Sequence, residues 1–167
     1  MPRKVTEQRL WNVSLFYLRR FPASVAGVRR MLDRRIRRWV KDGAEVVGDQ
    51  AVLITGVVER LSRAGYLDDE KLAVNKVASL RRGGASARAI GVKLSRAGIS
   101  RELSRKAAAE EPTTDAEAVW TWARRKRLGV FRTSGREARR EKDLAALVRA
   151  GFSFRQAREV VDAVEPP

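Results

Sequence analysis

Residues 61–70 read Leu61-Ser62-Arg63-Ala64-Gly65-Tyr66-Leu67-Asp68-Asp69-Glu70. Gly65 follows an apolar and basic run, and glycine tolerates the left-handed conformation that closes many helices. Asp68 is a good N-cap for a new helix, and carboxylates suit the positive end of that helix. The stretch therefore predicts a corner between two helices, with Tyr66 and Leu67 packed and five structural residues: Gly65, Tyr66, Leu67, Asp68 and Asp69.

The first half of this stretch recurs in the chain. Leu94-Ser95-Arg96-Ala97-Gly98 repeats it without change, and Leu147-Val148-Arg149-Ala150-Gly151 repeats it with one change. We expect the string to close a third helix at Gly65 but a second helix at Gly98 and Gly151. A separate repeat with an offset of 62 relates 18–24 to 80–86, which agree at five of seven positions. Repeats of this kind are typical of arrays of small helical units.

Apolar residues at helical spacing predict nine helices. They begin near residues 6, 24, 49, 69, 86, 100, 114, 134 and 153, with residues 43–48 as a loop. The capping-box pattern occurs three times, at Thr114–Glu117, Ser134–Glu137 and Ser153–Gln156. No sustained alternation indicates strands. We predict an all-α fold of three tandem three-helix units, 1–67, 68–111 and 112–167, which form an elongated, curved array.

Composition excludes several classes of function. The 167 residues include no Cys and no His, which argues against the usual zinc and iron-sulfur sites, disulfides, thiol chemistry and His-based catalysis. Asp68, Asp69 and Glu70 are interpreted as a helix cap rather than a metal site. We expect no cofactor, no metal and no enzymatic activity. No apolar run is long enough for a membrane span, and residues 1–10 are too polar for a signal peptide, so we expect a cytoplasmic protein without a membrane partner.

The charge is strongly positive. There are 36 Lys and Arg residues against 20 Asp and Glu residues, a net charge of +16. Residues 1–48 hold 12 basic and 4 acidic residues, whereas 49–112 and 113–167 each hold 12 and 8. Such a charge favours polyanions or strongly acidic proteins as partners. An arginine-rich proteome is the alternative explanation.

Basic residues on helix faces are the candidates for binding DNA or a DNA-bound protein. On the second predicted helix they lie away from the apolar residues, and a solvated helix face is the alternative interpretation. The run 124–127 spreads around its helix, so only two or three of its members can face one partner. The full candidate set is Arg30, Arg34, Arg37, Arg38, Lys41, Arg81, Arg82, Arg88, Lys93, Arg124, Arg125 and Lys126.

The four tryptophans divide by their position on the predicted helices. Trp11 and Trp120 fall in apolar stripes, which predicts that they belong to the core. Trp39 and Trp122 are offset from those stripes, so they are the better candidates for exposed contacts such as base stacking.

The sequence resembles the RecX family of bacterial recombination regulators. Residues 65–73, Gly-Tyr-Leu-Asp-Asp-Glu-Lys-Leu-Ala, are similar to the family's Gly-x-Leu-Asp-Asp-Glu-x-Phe-Ala signature. The match continues through Arg82-Gly83-Gly84, Ile90, Leu94, Ala97-Gly98-Ile99 and Ala150-Gly151-Phe152-Ser153. The first unit departs from the family, because Val25-Ala26-Gly27-Val28 follows Ser24 where an acidic-Leu pair is usual. Leu72 also replaces the usual Phe.

The resemblance implies a regulator of homologous recombination, DNA repair and the SOS response. Such a protein lodges in the groove of the RecA nucleoprotein filament and damps ATP hydrolysis and strand exchange. Its partners would be the RecA filament and single- or double-stranded DNA, bound without sequence preference by a monomer. Two alternatives remain open at the level of the sequence: a DNA-binding protein that acts without RecA, and a helical scaffold for an acidic protein.

Overall fold

The computed structural model describes residues 4–167, and this part of the chain is mainly helical with very little strand. A one-turn 3-10 helix, Gly129–Phe131, precedes the eighth α-helix. The all-α prediction is confirmed. Within the described residues the helices are α1 (Glu7–Leu18), α2 (Val25–Lys41), α3 (Gln50–Arg63), α4 (Asp69–Arg82), α5 (Ala87–Ala97), α6 (Arg101–Glu110), α7 (Asp115–Lys126), α8 (Arg136–Arg149) and α9 (Phe154–Asp162).

Two short strands interrupt the helical pattern. β1 (Lys4–Val5) pairs in parallel with β2 (Glu45–Val46), and the Val47 N–H donates to the Val5 carbonyl at 3.2 Å. The prediction that 43–48 is only a loop is therefore wrong. A two-residue strand is too short to show the alternation by which strands are recognised in a sequence.

Side-chain caps explain where most of the helices begin. Thr6, Ser24, Asp49 and Ser100 each accept a hydrogen bond from the backbone N–H three residues later. Such caps satisfy amides that the first turn leaves without partners. Two of the three predicted capping boxes, at Thr114–Glu117 and Ser153–Gln156, are confirmed.

The predicted capping box at Ser134 is wrong. Gly135, at φ +63°, occupies the N-cap position of α8 without a side-chain hydrogen bond. The helix therefore begins one residue later than the box requires, at Arg136. The guanidinium of Arg136 donates to the carbonyls of Val161 and Ala163. Contact with the end of α9, rather than a local cap, holds the first turn of α8.

The chain divides into two compact units. One comprises Met1–Leu72 with Ala97–Ile99, and the other comprises Ala73–Arg96 with Ser100–Pro167. The first unit has a core from β1 and α1–α3 that includes the fully buried Leu10, Leu32, Ile36 and Leu61. The second has a core from α7–α9 and the turns beside them that includes the buried Val119, Leu147, Phe152 and Val160. The division into three three-helix units stays a prediction.

The same hydrogen-bonded junction occurs once in each compact unit. In the first, the Ser24 hydroxyl donates to the Ala97 carbonyl, and the Asp69 carboxylate accepts from the Val25 N–H at 2.9 Å. In the second, the Ser86 hydroxyl donates to the Ala150 carbonyl at 2.7 Å, and the Asp115 carboxylate accepts from the Ala87 N–H at 2.8 Å. Ser24 and Ser86 are the serines that the 62-residue repeat aligns. The repeat in the sequence thus corresponds to a repeated contact.

The three glycine strings are of two kinds. Gly98 (φ +82°) and Gly151 (φ +100°) lie in these junctions, where a Cβ would be 2.6 Å from the Ala26 Cβ and 2.4 Å from the Ser86 Oγ. Gly65 (φ +76°) has no described atom within 4 Å of such a Cβ. Gly65 follows α3, whereas Gly98 and Gly151 follow α5 and α8, as the sequence predicts. Close packing therefore requires glycine at Gly98 and Gly151 but not at Gly65.

Candidate nucleic-acid interface

Five of the seven basic residues of α2 form a single stripe. An α-helix advances about 100° per residue, so Arg30, Arg34, Arg37, Arg38 and Lys41 fall within an arc of about 100°. All five are exposed. Val28, Leu32 and Ile36, on the opposite side of α2, are 0% exposed. Burial of the apolar side in the core therefore fixes the outward direction of the basic side. We call these five residues the arginine stripe.

Two acidic residues border the arginine stripe, Asp33 on α2 and Asp42 directly after Lys41. Asp33 pairs with Arg37 at 2.6 Å and also accepts a hydrogen bond from the Gln50 amide at 2.8 Å. The Arg37 side chain remains 75% exposed in this pair. An exposed ion pair in water is weak, so a phosphate can still compete for Arg37. Asp33 therefore lies at one edge of the stripe, and its weak ion pair does not prevent Arg37 from contacting a phosphate.

A concavity of about 460 Å³ lies against the stripe. Met31 and four arginines line it: Arg34, Arg35, Arg37 and Arg38. Guanidinium groups bind phosphate oxygens in pairs of parallel hydrogen bonds. Several guanidiniums around one depression are therefore suited to a phosphate backbone. Arg35 was absent from the residues predicted from the sequence.

The tryptophans do not divide as predicted. All four are half-buried, and each lies against one of the two cores. The guanidinium carbon of Arg9 lies 3.8 Å from the centre of the Trp39 ring, and the Lys126 ammonium lies 5.4 Å from that of Trp122. Cations over these rings cover the surfaces that base stacking needs. The expected difference in exposure between the two pairs of tryptophans is not seen.

Arg81 has a structural environment. Its side chain is only 10% exposed, and its guanidinium donates to the Asp115 carboxylate and, at 3.0 Å, to the Ala85 carbonyl. A buried guanidinium held in this way supports the junction between α4, α5 and α7. We therefore leave Arg81 out of the proposed binding surface.

The basic run at the end of α7 does not form one surface. Arg124 lies 5.3 Å from the centre of the Phe131 ring, whereas Arg125 donates to the Gly83 carbonyl at 2.8 Å. Lys126 lies over Trp122. The three cations thus have three different partners within the chain. The other candidates of the second compact unit, Arg82, Arg88 and Lys93, are exposed on α4 and α5.

At the predicted corner, residues 65–69, Asp68 caps α4 as expected, but Tyr66 is more exposed than predicted. The Asp68 carboxylate accepts from the Lys71 N–H at 2.8 Å, and Leu67 is 6% exposed. Tyr66, predicted to be packed, remains 54% exposed and makes an edge contact with Trp11 at 6.1 Å between ring centres. Asp69 caps α2 rather than its own helix. Its partner was not predicted because the two helices are 44 residues apart in sequence.

Asp143 is a buried charge that sequence reasoning missed. It is 1% exposed, and Arg132 donates two hydrogen bonds to it, at 2.6 and 2.7 Å. The Gly129 N–H adds a third at 2.8 Å. Burial raises the pKa of the Asp143 carboxyl, but these hydrogen bonds outweigh it, and the pKa lies below its ordinary value. The signal in the sequence was an acidic residue within the apolar stripe of α8, beside Leu144 and Leu147.

Two kinds of site do not occur in the described residues. No group of three acidic, His or Cys side chains is arranged there to hold a metal ion. None of the helices between residues 4 and 167 combines the length and the apolar character that crossing a bilayer needs.

The described fold defines an all-α protein in which one long helix sets a buried apolar face against an exposed arginine face. Over 166 aligned residues the chain is 41% identical to the regulatory protein RecX of Myxococcus xanthus (strain DK1622). The aligned region covers 97% of the chain and 89% of that relative. None of the family models searched matches the chain. At this identity and coverage, the chain belongs to the RecX family.

Proposed function

We propose that the chain regulates the RecA recombinase by binding in the groove of the RecA–DNA filament and inhibiting ATP hydrolysis and strand exchange. The relative is named a regulatory protein, which supports a non-enzymatic role. The observation that carries the proposal is the arginine stripe, because it places five cations on one exposed helix face. A filament built on DNA offers this face a line of phosphates.

The proposed complex has further features. The arginine stripe binds the phosphates of filament DNA without reading the sequence, since guanidinium–phosphate contacts position a protein without distinguishing bases. The chain acts as a cytoplasmic monomer without a cofactor. Three tandem units, 1–67, 68–111 and 112–167, span neighbouring recombinase subunits. The recurrence of the Ser–Asp junction supports the repeated organisation.

The test is ATP hydrolysis by RecA on single-stranded DNA, with the chain added in increasing amounts. We expect inhibition by the wild type, and roughly tenfold more protein needed for the same inhibition by the triple variant Arg34→Glu, Arg37→Glu, Arg38→Glu. The variant loses three positive charges and gains three negative ones, a net change of −6, so its control must match that change. Arg101, Arg105 and Arg155 are exposed and outside the stripe, and their triple change to Glu supplies the control. Undiminished ATP hydrolysis with the wild type contradicts the proposal.

A second function is supported by the same arginine stripe. A protein that binds DNA without RecA would also place cations on one exposed face. That protein would slow RecA only by competing for DNA. Its inhibition would disappear when single-stranded DNA is supplied in excess over both proteins, whereas inhibition within the filament would persist.

A further inference from the structure

Two segments of more than 15 residues contain no Lys or Arg, 42–59 and 107–123, and the first of them adjoins the arginine stripe. Residues 42–59 hold no Lys or Arg but four acidic residues, Asp42, Glu45, Asp49 and Glu59. The segment includes β2 and most of α3, and it follows directly on the helix that bears the arginine stripe. A polyanion bound at the stripe would be repelled by this segment. The first compact unit therefore carries two surfaces that suit different kinds of partner.

The exposed side of the first half of α3 is apolar and concave. Val52 is 69% exposed. A depression of about 370 Å³ is lined by Ala51, Val52, Thr55, Gly56 and Glu59. A second depression of about 290 Å³ shares Ala51 and extends to Ile54, Asp33 and the arginines Arg29 and Arg30. Together they form a groove along α3 with an apolar floor, which we call the α3 groove.

Gly56 is not required by the packing of the described chain. It lies in the middle of α3, where glycine costs about 1 kcal/mol relative to alanine. A Cβ at this position would meet only the Glu7 carboxylate, at 3.9 Å. The missing side chain deepens the α3 groove and gives a neighbouring backbone room to approach. Gly91 in α5 is also open to solvent, so it provides a matched control.

We propose that the α3 groove binds an apolar segment of the recombinase protein, while the arginine stripe binds the DNA. This inference rests on the proposed function. The apolar floor favours a side-chain ridge such as one face of an amphipathic helix. Glu59 at one end of the groove favours a Lys or Arg of the partner, and Arg29 at the other end favours a carboxylate. The apolar floor and the Glu59 carboxylate disfavour nucleic acid as the occupant.

Paired charge substitutions at Val52 distinguish the possible occupants. Val52→Glu and Val52→Lys both place a charge in an apolar contact, so both should weaken association with a protein. If nucleic acid occupied the groove, Val52→Glu would weaken its binding and Val52→Lys would strengthen it. We would measure co-sedimentation with RecA filaments on single-stranded DNA at about 0.3 M salt, where exposed charges are screened. Both variants should lose affinity roughly tenfold, with binding to bare single-stranded DNA unchanged.

Gly56→Leu should raise the stability of the fold and lower the affinity for the filament. Leucine raises helix propensity, so the melting temperature should rise for both Gly56→Leu and Gly91→Leu. Only Gly56→Leu should lose filament affinity, because it fills the groove. Val148→Glu, at a position 38% exposed on α8, controls for an added charge and should bind as the wild type does.

Several outcomes would overturn the inference. Wild-type affinity in the Val52 and Gly56 variants would do so, as would an equal loss in the Gly91 and Val148 controls. Opposite effects of Glu and Lys would assign the groove to nucleic acid. Self-association of the wild type that the variants abolish would assign it to a second copy of the chain. A wild-type chain that leaves the filament unbound would contradict the proposed function itself.

Discussion

Among single residues, Asp143 illustrates how burial and hydrogen bonding compete. A carboxylate at 1% exposure loses its hydration, which favours the neutral acid. Two hydrogen bonds from Arg132 and one from Gly129 favour the charged form more strongly, so the pKa is lowered. The pair joins α8 to the turn before it. Removing the charge should therefore loosen the Gly129–Phe131 turn as well as α8.

Asp143→Asn should destabilise the chain by about 1.5–3 kcal/mol at pH 7, the range for hydrogen bonds to charged groups. Because the folded pKa is lowered, this stabilisation is complete above the unfolded value of about 3.9 and is lost as the pH falls through the folded pKa. Urea unfolding between pH 7 and pH 3 measures it. The difference between wild type and variant should be constant to about pH 5 and shrink below pH 4.

Asp162 is the control for this pH dependence. Hydrogen bonds from Arg140 lower the pKa of its carboxyl as well, but the pair is exposed. Asp162→Asn should therefore have a smaller effect, and that effect should fall with added salt. A larger effect at Asp162 than at Asp143 would show that burial is not what makes the Asp143 pair strong.

Among the elements, the two junctions have the same geometry but different charge environments. Asp69 accepts only a backbone hydrogen bond from α2 among the contacts described for it. Asp115 accepts the equivalent bond from α5 and also holds the guanidinium of Arg81, which is 10% exposed. Losing a backbone cap removes one hydrogen bond. Losing the Asp115 carboxylate also leaves a buried cation without its partner.

We therefore expect Asp69→Ala to cost about 1 kcal/mol, as a lost cap, and Asp115→Ala to cost about 3 kcal/mol or more. Urea unfolding of each variant measures the difference. Asp115→Ala combined with Arg81→Met removes both charges and should recover part of the loss. Equal costs for the two single variants would show that Arg81 does not depend on Asp115.

Local signals predicted the elements better than the contacts between them. Caps at Ser24, Asp68 and Ser153 lie within three residues of their partners, and the sequence located each one. The bond from Val25 to Asp69 joins residues 44 apart, so no local pattern indicates it. Ser134 shows that a local pattern can also mislead, since α9 determines where α8 begins. The arginine stripe was predictable because its cations and the apolar residues opposite them lie on the same helix, α2.

At the scale of the whole molecule, the net charge of +16 does not by itself indicate a binding site. Some cations are paired with acidic residues of the chain, as are Arg132 with Asp143, Arg140 with Asp162 and Arg81 with Asp115. The largely buried pairs of Arg132 and Arg81 are less accessible to DNA phosphates than exposed cations are. The arginine stripe has five exposed cations and two acidic neighbours, Asp33 and Asp42, and the pair of Asp33 with Arg37 is itself exposed. Composition predicted a polyanion or a strongly acidic protein as partner, and the structure places five candidate cations of α2 on one exposed face.

The salt dependence of DNA binding tests whether the stripe or the total charge acts. If all five cations of the stripe contact phosphates of single-stranded DNA, log K should fall with log salt with a slope of about −3.5. Changing Arg34, Arg37 and Arg38 to Glu should flatten that slope by about 2. Fluorescence anisotropy of a labelled oligonucleotide at several salt concentrations gives both slopes. The control variant, with Arg101, Arg105 and Arg155 changed to Glu, has the same net charge. If its slope is flattened equally, DNA responds to the net charge and not to the arrangement of cations on α2.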